Sequence, residues 1–454
     1  MMKHTDLTVR NFGSLSTTVF MISLLSVGFG TVDLLFVAPQ GETHVAAVGQ
    51  GAVIVSAVIT FFGGVVDVFS SRLSIAEGAG RRSQQLPVLL GALVLLLIAS
   101  ELLGVLLSLG VSPFLSWTGQ PAEVVPLVTD YIRIHLWSVA LVVGYSAVMA
   151  ALKICGLKNY SLAVLTIGFG ANVLLDWLFL YTAVADRFPS PEYAVSMATV
   201  VVDVVMGVLG IAVFRWQARR QNYRFARPGG TEVAAEARSM ARVSCGIGIR
   251  HLNDWMGAVV PTLFIGSLGV GALAATAVAT RLYTLFCRVP QACVSGAFVF
   301  YGYAVGGDTG QLRSTARRLL RYAAIPTAVA ALLVVLFSRD LVALFGDGRL
   351  DENAARRLLF AYLVFLPVYL PGAVFGEMLT VHQRAGLLFW GSTIATYAII
   401  IPLSWYGVFV LDSAVFAVAA GGLPNLVLAP LFWRALRRRH WAEPAVTDTG
   451  VRVA

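Results

Sequence analysis

Asn172 and Asp176 are separated by one helical turn inside the apolar stretch 165–181. At positions i and i+4 both side chains leave the same face of a helix, so they can close together on one cation or one proton. A carboxylate in hydrocarbon costs about 2.5–3.5 kcal/mol and is retained where it pairs, faces water or titrates. This pair therefore makes transport across a membrane the first hypothesis.

Asp33, near the outer end of the first apolar stretch, can join this pair if the first and fifth stretches pack together. Two carboxylates in one dry site suit proton uptake and release near neutral pH. The amide of Asn172 and a hydroxyl from Thr199 would instead complete an oxygen-lined sodium site. The competing interpretation is that Asp33 is an interfacial residue in contact with water outside the membrane.

A second group of candidate residues lies in the other half of the chain. Asp254 beside Trp255 combines a negative charge with an aromatic face, which suits the binding of an organic cation. Glu377 is a second acid for this half, although the membrane edge follows within a few residues. Pro367 and Pro371 lie in the same stretch. Because proline has no backbone N–H to donate within a helix, they predict a kink or hinge there.

Other polar residues have roles that the sequence leaves open. Asp67 and Asp203 face the interior of their lobe, lie near the cytoplasmic or central water, or are structural, and the roles of Arg250 and His251 are equally open. Glu101, flanked by leucines, is expected near the outer interface. The sequence contains no phosphate-binding loop, His-rich metal spacing or nucleophile elbow, so we expect no cofactor and no enzymatic activity.

The composition indicates which elements must position these residues. The 454 residues are 58% hydrophobic and 13% charged, with a mean hydropathy of +0.79. An ordinary globular domain is about 45–50% apolar and about 25% charged. The composition therefore predicts an all-α polytopic membrane protein rather than a soluble enzyme. The four cysteines form no CxxC pair, so a disulfide framework or a thiolate metal site is not expected.

The apolar stretches predict about twelve spans, because about twenty apolar residues cross a bilayer. Their limits are 14–38, 45–71, 86–109, 127–151, 160–182, 193–215, 243–266, 272–299, 318–338, 356–381, 387–410 and 412–433.

The net charge of +9 does not indicate nucleic-acid binding, because the basic residues gather in short links between spans. Even-numbered links carry most of the Lys and Arg, as the positive-inside rule predicts for the cytoplasmic side. The link at 339–357 is the exception, with arginines beside acidic residues. An even number of spans with this bias predicts a multi-pass protein of the plasma (inner) membrane with both termini in the cytoplasm.

The two halves of the chain resemble each other. Phe264 and Gly269 lie 228 positions after Phe36 and Gly41, within segments that align along their length. Six spans in each half predict two lobes related by a pseudo-twofold axis along the membrane normal, unless two apolar sequences align by chance. The predicted boundaries are an N-lobe at 1–216, a cytoplasmic linker at 217–242, a C-lobe at 243–434 and a cytoplasmic tail at 435–454.

Several short motifs, spread over nearly the whole length, together resemble the multidrug and toxic compound extrusion (MATE) family. The segment 151–160, followed by Asn172-Val-Leu-Leu-Asp176, resembles the family's exit from span four and its Asn-x-x-x-Asp span. The other matches are Val32-Asp33 with Ala46-Ala47-Val48-Gly49 (first-span Asp motif), Ala198-Thr199 (span six) and Leu252-Asn253-Asp254-Trp255 (span seven, where the acid is usually Glu).

The resemblance implies proton- or sodium-driven antiport of drugs or other amphiphiles, by alternating access between two six-helix lobes. Carried over by residue, it implies that Asp33, Asn172, Asp176 and Thr199 form a cation site in the N-lobe. It also implies that Asp254 is the acid of the C-lobe.

Two departures from the family pattern affect this interpretation. The first span has no proline, which puts a family-style bend of that helix in doubt. The span-ten Asp of some members is out of register here, where Leu370 is nearest and Glu377 lies a turn or two later. A sodium site that needs the span-ten acid is therefore less favoured than a proton site in the N-lobe.

We therefore expect a monomeric exporter in the lipid bilayer that extrudes amphiphilic, often cationic, drugs or secondary metabolites in exchange for protons rather than sodium. One alternative is a lipid-linked oligosaccharide flippase of the same broad superfamily, which would favour a cationic cavity and often extra spans. The other is an integral-membrane enzyme, which would need a catalytic cluster at an interface.

Overall fold

The computed structural model describes residues 4–117, 123–220, 228–307, 309–343 and 351–439. Within these ranges the regular elements are all helices. Hydrocarbon offers no partners for backbone N–H and C=O groups, and a helix satisfies these groups within its own segment. The prediction of an all-α polytopic membrane protein is confirmed.

The helices before residue 221 belong to the first half of the chain. They are α1 (Val9–Val37), α2 (Glu42–Gly78), α3 (Arg82–Leu109), α4 (Val111–Trp117), α5 (Val124–Leu136), α6 (Val139–Ile154), α7 (Lys158–Tyr181) and α8 (Pro191–Arg220).

The helices after residue 227 belong to the second half. They are α9 (Gly230–Gly266), α10 (Val270–Gly306), α11 (Leu312–Leu336), α12 (Ser338–Ala343), α13 (Glu352–Leu363), α14 (Leu366–Val381), α15 (Ala385–Thr393), a π-helical segment (Ile394–Ile400), α16 (Ile401–Phe409), α17 (Ala414–Ala420) and α18 (Asn425–Arg439).

Nine helical segments in the described part of the chain are long and apolar enough to cross a membrane, and two bent helix pairs bring the number to eleven. The bent pairs are α5 with α6 and α13 with α14. The remaining predicted span, 243–266, lies in α9. This helix has 37 residues and a length of about 55 Å, but its interior carries Arg250, His251 and Asp254. Those residues explain why composition alone does not mark it as a span.

Two predicted boundaries fall partly outside the described residues. In the predicted linker 217–242, residues 230–242 are the first turns of α9, while residues 221–227 are not described. In the predicted tail, residues 435–439 end α18, and 440–454 lie outside the described residues.

Span ten is bent by 45° between α13 and α14. Pro367 lies at the start of α14, where its missing N–H leaves no hydrogen bond unmade. The prediction of a kink in this span is therefore confirmed.

Span four is bent by 48° between α5 and α6 without any proline at the break. The backbone N–H of Ala140, in the first turn of α6, donates to Glu101 Oε2 at 2.9 Å. This N–H has no partner within its own helix, so Glu101 of α3 caps the second half of a broken span. The sequence suggested only an interfacial position for Glu101.

Two compact units can be described separately. Unit 1 comprises residues 1–20, 74–81 and 253–454, and unit 2 comprises residues 21–73 and 82–252. In unit 1, α10 packs against α11, α13 and α14. In unit 2, α8 packs against α5, α6 and α7, around a core of Met149, Leu152, Val164, Leu165, Val202 and Met206.

Glycines allow helix backbones to touch in both units. In unit 2, a Cβ at Gly64 would lie 2.7 Å from the Gly248 nitrogen, so α2 and α9 cross in direct contact. In unit 1, a Cβ at Gly302 of α10 would overlap the Ser74 side chain of α2. Two further close approaches join the same helices of unit 1: Gly78 with Tyr303, and Gly306 with Ile75.

Replacing Glu101 tests the cap of the broken span. Glu101→Leu should lower the stability by about 1–3 kcal/mol, because the Ala140 N–H loses its acceptor. Glu101→Gln keeps an acceptor oxygen and should lose less than half as much. Thermal unfolding in detergent, followed by tryptophan fluorescence, measures both. Equal losses in the two variants would contradict the capping role.

Candidate functional site

The buried face of α7 carries the pair from which the sequence argument began. Residues 161, 164, 165, 168, 172, 176 and 180 are its buried positions, a spacing of three and four that defines one helix face. Asn172 and Asp176 lie on this face, and both are fully buried. The apolar residues around them make the helix, and the spacing places both polar groups towards the neighbouring helices.

Asp33 of α1 lies against this face and is itself 4% exposed. Asn172 Nδ2 donates to Asp33 Oδ1 at 3.3 Å. From α8, Thr199 Oγ1 donates to Asp33 Oδ2 at 3.4 Å. The structure thus brings together in unit 2 the residues of spans one, five and six that the sequence grouped. Asp33 is buried among them.

Asp176 lies close enough to Asp33 to interact electrostatically. Three buried oxygens here face no donor among the described residues: Asp176 Oδ1, Asp176 Oδ2 and Asn172 Oδ1. A buried polar atom without a partner is costly and needs an explanation. A proton on one carboxyl group supplies a donor, and a small cation neutralises the oxygens, so the site suits either ion.

The ligand types limit which metal this site could hold. The described part of the chain contains no group of three or more His, Cys, Asp or Glu residues suited to a metal ion. Two carboxylates, an amide oxygen and a hydroxyl are hard oxygen donors, which suit an alkali or alkaline-earth cation better than a transition metal. Sodium is therefore chemically compatible with Asp33, Asn172, Asp176 and Thr199.

Two further residues of unit 2 adjoin this cluster and were not grouped with it from the sequence. Tyr131 of α5, 5% exposed, is in electrostatic range of Asp33 and Asp176. Asp203 of α8, also 5% exposed, is in electrostatic range of Asp33. Asp203 follows Thr199 by one turn, so the same i, i+4 argument could have placed it here. No comparable signal marked Tyr131.

In the second half, the predicted site residues are less buried than Asp33, Asn172 and Asp176 of the first half. Asp254 is exposed, and Trp255 and Glu377 are half-buried. All three lie in unit 1. Leu370, which stands where some family members have an acid, is 5% exposed and packs as a core residue.

The buried polar centre of unit 1 is instead Asn253. Its Nδ2 donates to Ser392 Oγ at 3.1 Å and to Thr393 Oγ1 at 2.9 Å. Thr396 Oγ1 donates to the Asn253 carbonyl at 3.0 Å, from within the π-helical segment. Short π-helical stretches occur mostly inside α-helices and often at functional sites. The sequence analysis assigned a role to Asp254 and none to the neighbouring Asn253. Adjacent residues of one helix point in different directions, so the buried position of Asn253 could not be inferred from that of Asp254.

A polytopic all-helical protein with buried, donor-poor carboxylates in its first half belongs to the class of membrane transporters. The family model MatE matches residues 19–178 and 247–406, which together exceed half of the chain. The chain belongs to this family, and the family resemblance predicted from the sequence is confirmed. The family is one of transporters, so the chain is a transporter and not an enzyme. The two matched segments begin 228 positions apart, the same spacing that relates the two halves.

Relatives and solved structures agree with this assignment. The chain is 24% identical to the "Probable multidrug resistance protein NorM" of Rhizobium meliloti over 350 residues, 74% of this chain and 72% of that protein. It is 23% identical to the "Multidrug resistance protein NorM" of Vibrio vulnificus over 389 residues, 83% and 84% of the two chains. The fold is similar to that of the Vibrio cholerae MATE transporter VcmN, with a TM-score of 0.79, 18% identity and coverage of 95% and 98%.

Asp176→Asn should stabilise the protein at neutral pH by about 1–3 kcal/mol. The amide cannot ionise, so it excludes a buried charge at this position, and it supplies a donor for Asp33. The matched variant Asn172→Asp adds a third carboxylate at the same site and should destabilise the protein. Thermal unfolding in detergent compares the two, and a lower melting temperature for Asp176→Asn would contradict the description of Asp176 as an uncompensated acceptor.

Proposed function

We propose that this transporter exports amphiphilic, often cationic, drugs or secondary metabolites in exchange for a cation, with protons favoured over sodium. The observation that carries the proposal is the set of three buried oxygens beside Asp33 that face no donor among the described residues. Such a cluster is stable when it holds a proton or cation and costly when it does not, so ion binding can shift a conformational equilibrium.

Proton binding would act through the packing of α1 against α7. When Asp33 and Asp176 are both ionised, they repel each other. When one of them is protonated, it becomes a hydrogen-bond donor to the other, and the two helices can approach. Protons entering from outside would thus neutralise the pair and favour the conformation that releases substrate outward, while release of the proton to the cytoplasm would reset the site.

Protons are favoured over sodium because of the ligand count. Sodium would have to draw all its oxygens from Asp33, Asn172, Asp176 and Thr199, whereas a single proton needs only the two carboxylates. Some family members have an acid in span ten that could bind sodium in the second half of the chain. Here the buried Leu370 stands nearest to that position.

Cationic, amphiphilic substrates are supported by two observations. The curated relatives carry the name multidrug resistance protein. In unit 1, the exposed Asp254 beside Trp255 offers a charge and an aromatic face to an organic cation. We assign these two residues, with Glu377, to substrate binding in the second half.

The same proposal includes location and assembly. The chain functions as a monomer in the plasma (inner) membrane, with both termini in the cytoplasm. The bias of Lys and Arg towards even-numbered links supports this orientation.

Proteoliposomes loaded with a fluorescent cationic dye test the coupling. An imposed proton gradient should drive dye transport by the wild type, and Asp176→Asn should abolish it while remaining folded and inserted. Asp186→Asn, at an exposed acid in the link after α7, should retain full activity. Dye transport by Asp176→Asn that still follows the proton gradient would refute the coupling site. Transport driven only by a sodium gradient would assign sodium instead.

Substrate charge tests the assignment of Asp254. Asp254→Asn should reduce transport of a permanently cationic dye about ten-fold, the effect of losing about 1.4 kcal/mol, and should leave a neutral amphiphile little affected. Asp340→Asn, at an exposed acid of α12, serves as the control. Equal losses for both substrates would exclude Asp254 as the cation's partner, and transport of a lipid-linked oligosaccharide instead of either would favour a flippase.

A further inference from the structure

The crossing of α2 and α9 within unit 2 joins the two repeats of the chain. Asp67 lies in the first segment matched by the family and His251 in the second. At the crossing, Gly64 faces Gly248 so closely that a Cβ on either would strike the other helix. Such contact leaves no room for side chains between the backbones, so a small separation of the helices breaks the whole junction.

A polar pair lies one turn beyond each glycine. His251 Nε2 is 2.9 Å from Asp67 Oδ2, and each side chain is 29% exposed. Further along α2, Arg72 pairs with Glu236 of α9, which precedes Gly248 in the chain, whereas His251 follows it. These two contacts join the part of α2 that follows Gly64 to residues of α9 on either side of Gly248.

Partial exposure of the Asp67–His251 pair matters for its role. Partly exposed polar pairs of this kind contribute little to folding stability. Lys153 of α6 lies in electrostatic range of Asp67, so the Asp67 carboxylate retains a cationic neighbour if His251 moves away. An acid with two alternative partners on two different helices is suited to switching between two arrangements.

We propose that Asp67 and His251 are positioning residues that latch α2 to α9 in one of the two conformations of the transport cycle. This inference rests on the alternating access of the proposed function and adds the residues that hold one state. The latch lies on the cytoplasmic side, because α2 runs from the crossing towards the predicted cytoplasmic link at Arg81-Arg82. Breaking the pair exposes the junction to the cytoplasm, while Lys153 compensates the freed charge.

A cysteine reporter tests the latch. Ser244, 5% exposed, has its carbonyl against Gly64, so a thiol at this position is protected while the helices are in contact. Ser244→Cys is placed in a background in which the four native cysteines (Cys155, Cys245, Cys287 and Cys293) are replaced by serine. The measurement is the rate of labelling by a membrane-impermeant maleimide in inside-out vesicles. Substrate uptake into the vesicles, which corresponds to export from the cell, is recorded in parallel.

The single variants Asp67→Asn and His251→Gln should each raise the labelling rate about five-fold, the effect of losing an interaction of about 1 kcal/mol. The exchanged pair Asp67→His with His251→Asp should return it to near the wild-type rate. A role of either residue that does not depend on their mutual contact would not be rescued by exchange. His382→Gln removes a His–Tyr contact of 3.0 Å in unit 1 and should leave the labelling unchanged.

Unchanged labelling in both single variants, or failure of the exchanged pair to restore protection, would overturn the latch. Thermal unfolding shows whether a single variant is misfolded. If one of the two is misfolded, the labelling rates of the other single variant and of the exchanged pair decide whether the latch exists. The proposed function fails separately: a wild-type protein that does not export under any ion gradient refutes it, whatever the labelling shows. Normal wild-type export with unaltered labelling refutes only the latch.

Discussion

Asp33 and Asp176 are held where charge is least tolerated, and the polar architecture around them follows from that cost. Each carboxylate in hydrocarbon costs a few kcal/mol unless it is paired, hydrated or protonated. Asn172 and Thr199 donate to Asp33, but the described residues supply no donor to Asp176. The site therefore lacks hydrogen-bond donors for its buried oxygens among the described residues. Such a deficit suits a protein that binds and releases an ion. Full satisfaction by fixed donors would stabilise one state and remove the need for the ion.

The sequence predicted those features that depend on local helix geometry. An i, i+4 spacing places Asn172 and Asp176 on one face whatever the surrounding fold, and the apolar lengths define most spans. It could not predict Tyr131, because the rotation of α5 about its axis depends on tertiary packing. The break in span four also escaped, since it has no proline and its cap comes from Glu101 of another helix. In the second half, the sequence motif indicated Asp254 as the functional residue and did not show that Asn253 beside it is the buried one.

The two halves share a fold but differ in their polar chemistry. The first contains a charged cluster on α1, α7 and α8, whereas the second contains the neutral network of Asn253 with hydroxyls and a π-helical segment. A neutral network in hydrocarbon can be fully satisfied by its own hydrogen bonds and has no need of an ion. Among the described residues, the two halves thus differ in kind: the first has buried acceptors without donors, and the second has a neutral network of hydrogen bonds.

The close contact of Ser74 with Gly302 in unit 1 follows the spacing of the repeats. These two residues are 228 positions apart, the spacing of the repeats, so each touches its own equivalent. The approaches of Gly78 to Tyr303 and of Gly306 to Ile75 are exchanged by the same spacing. Self-contact of one position, with reciprocal contacts around it, is the pattern of a symmetric homodimer interface. Any substitution at one of these positions therefore meets the equivalent position of the other repeat, so the two repeats constrain each other's residues at this surface.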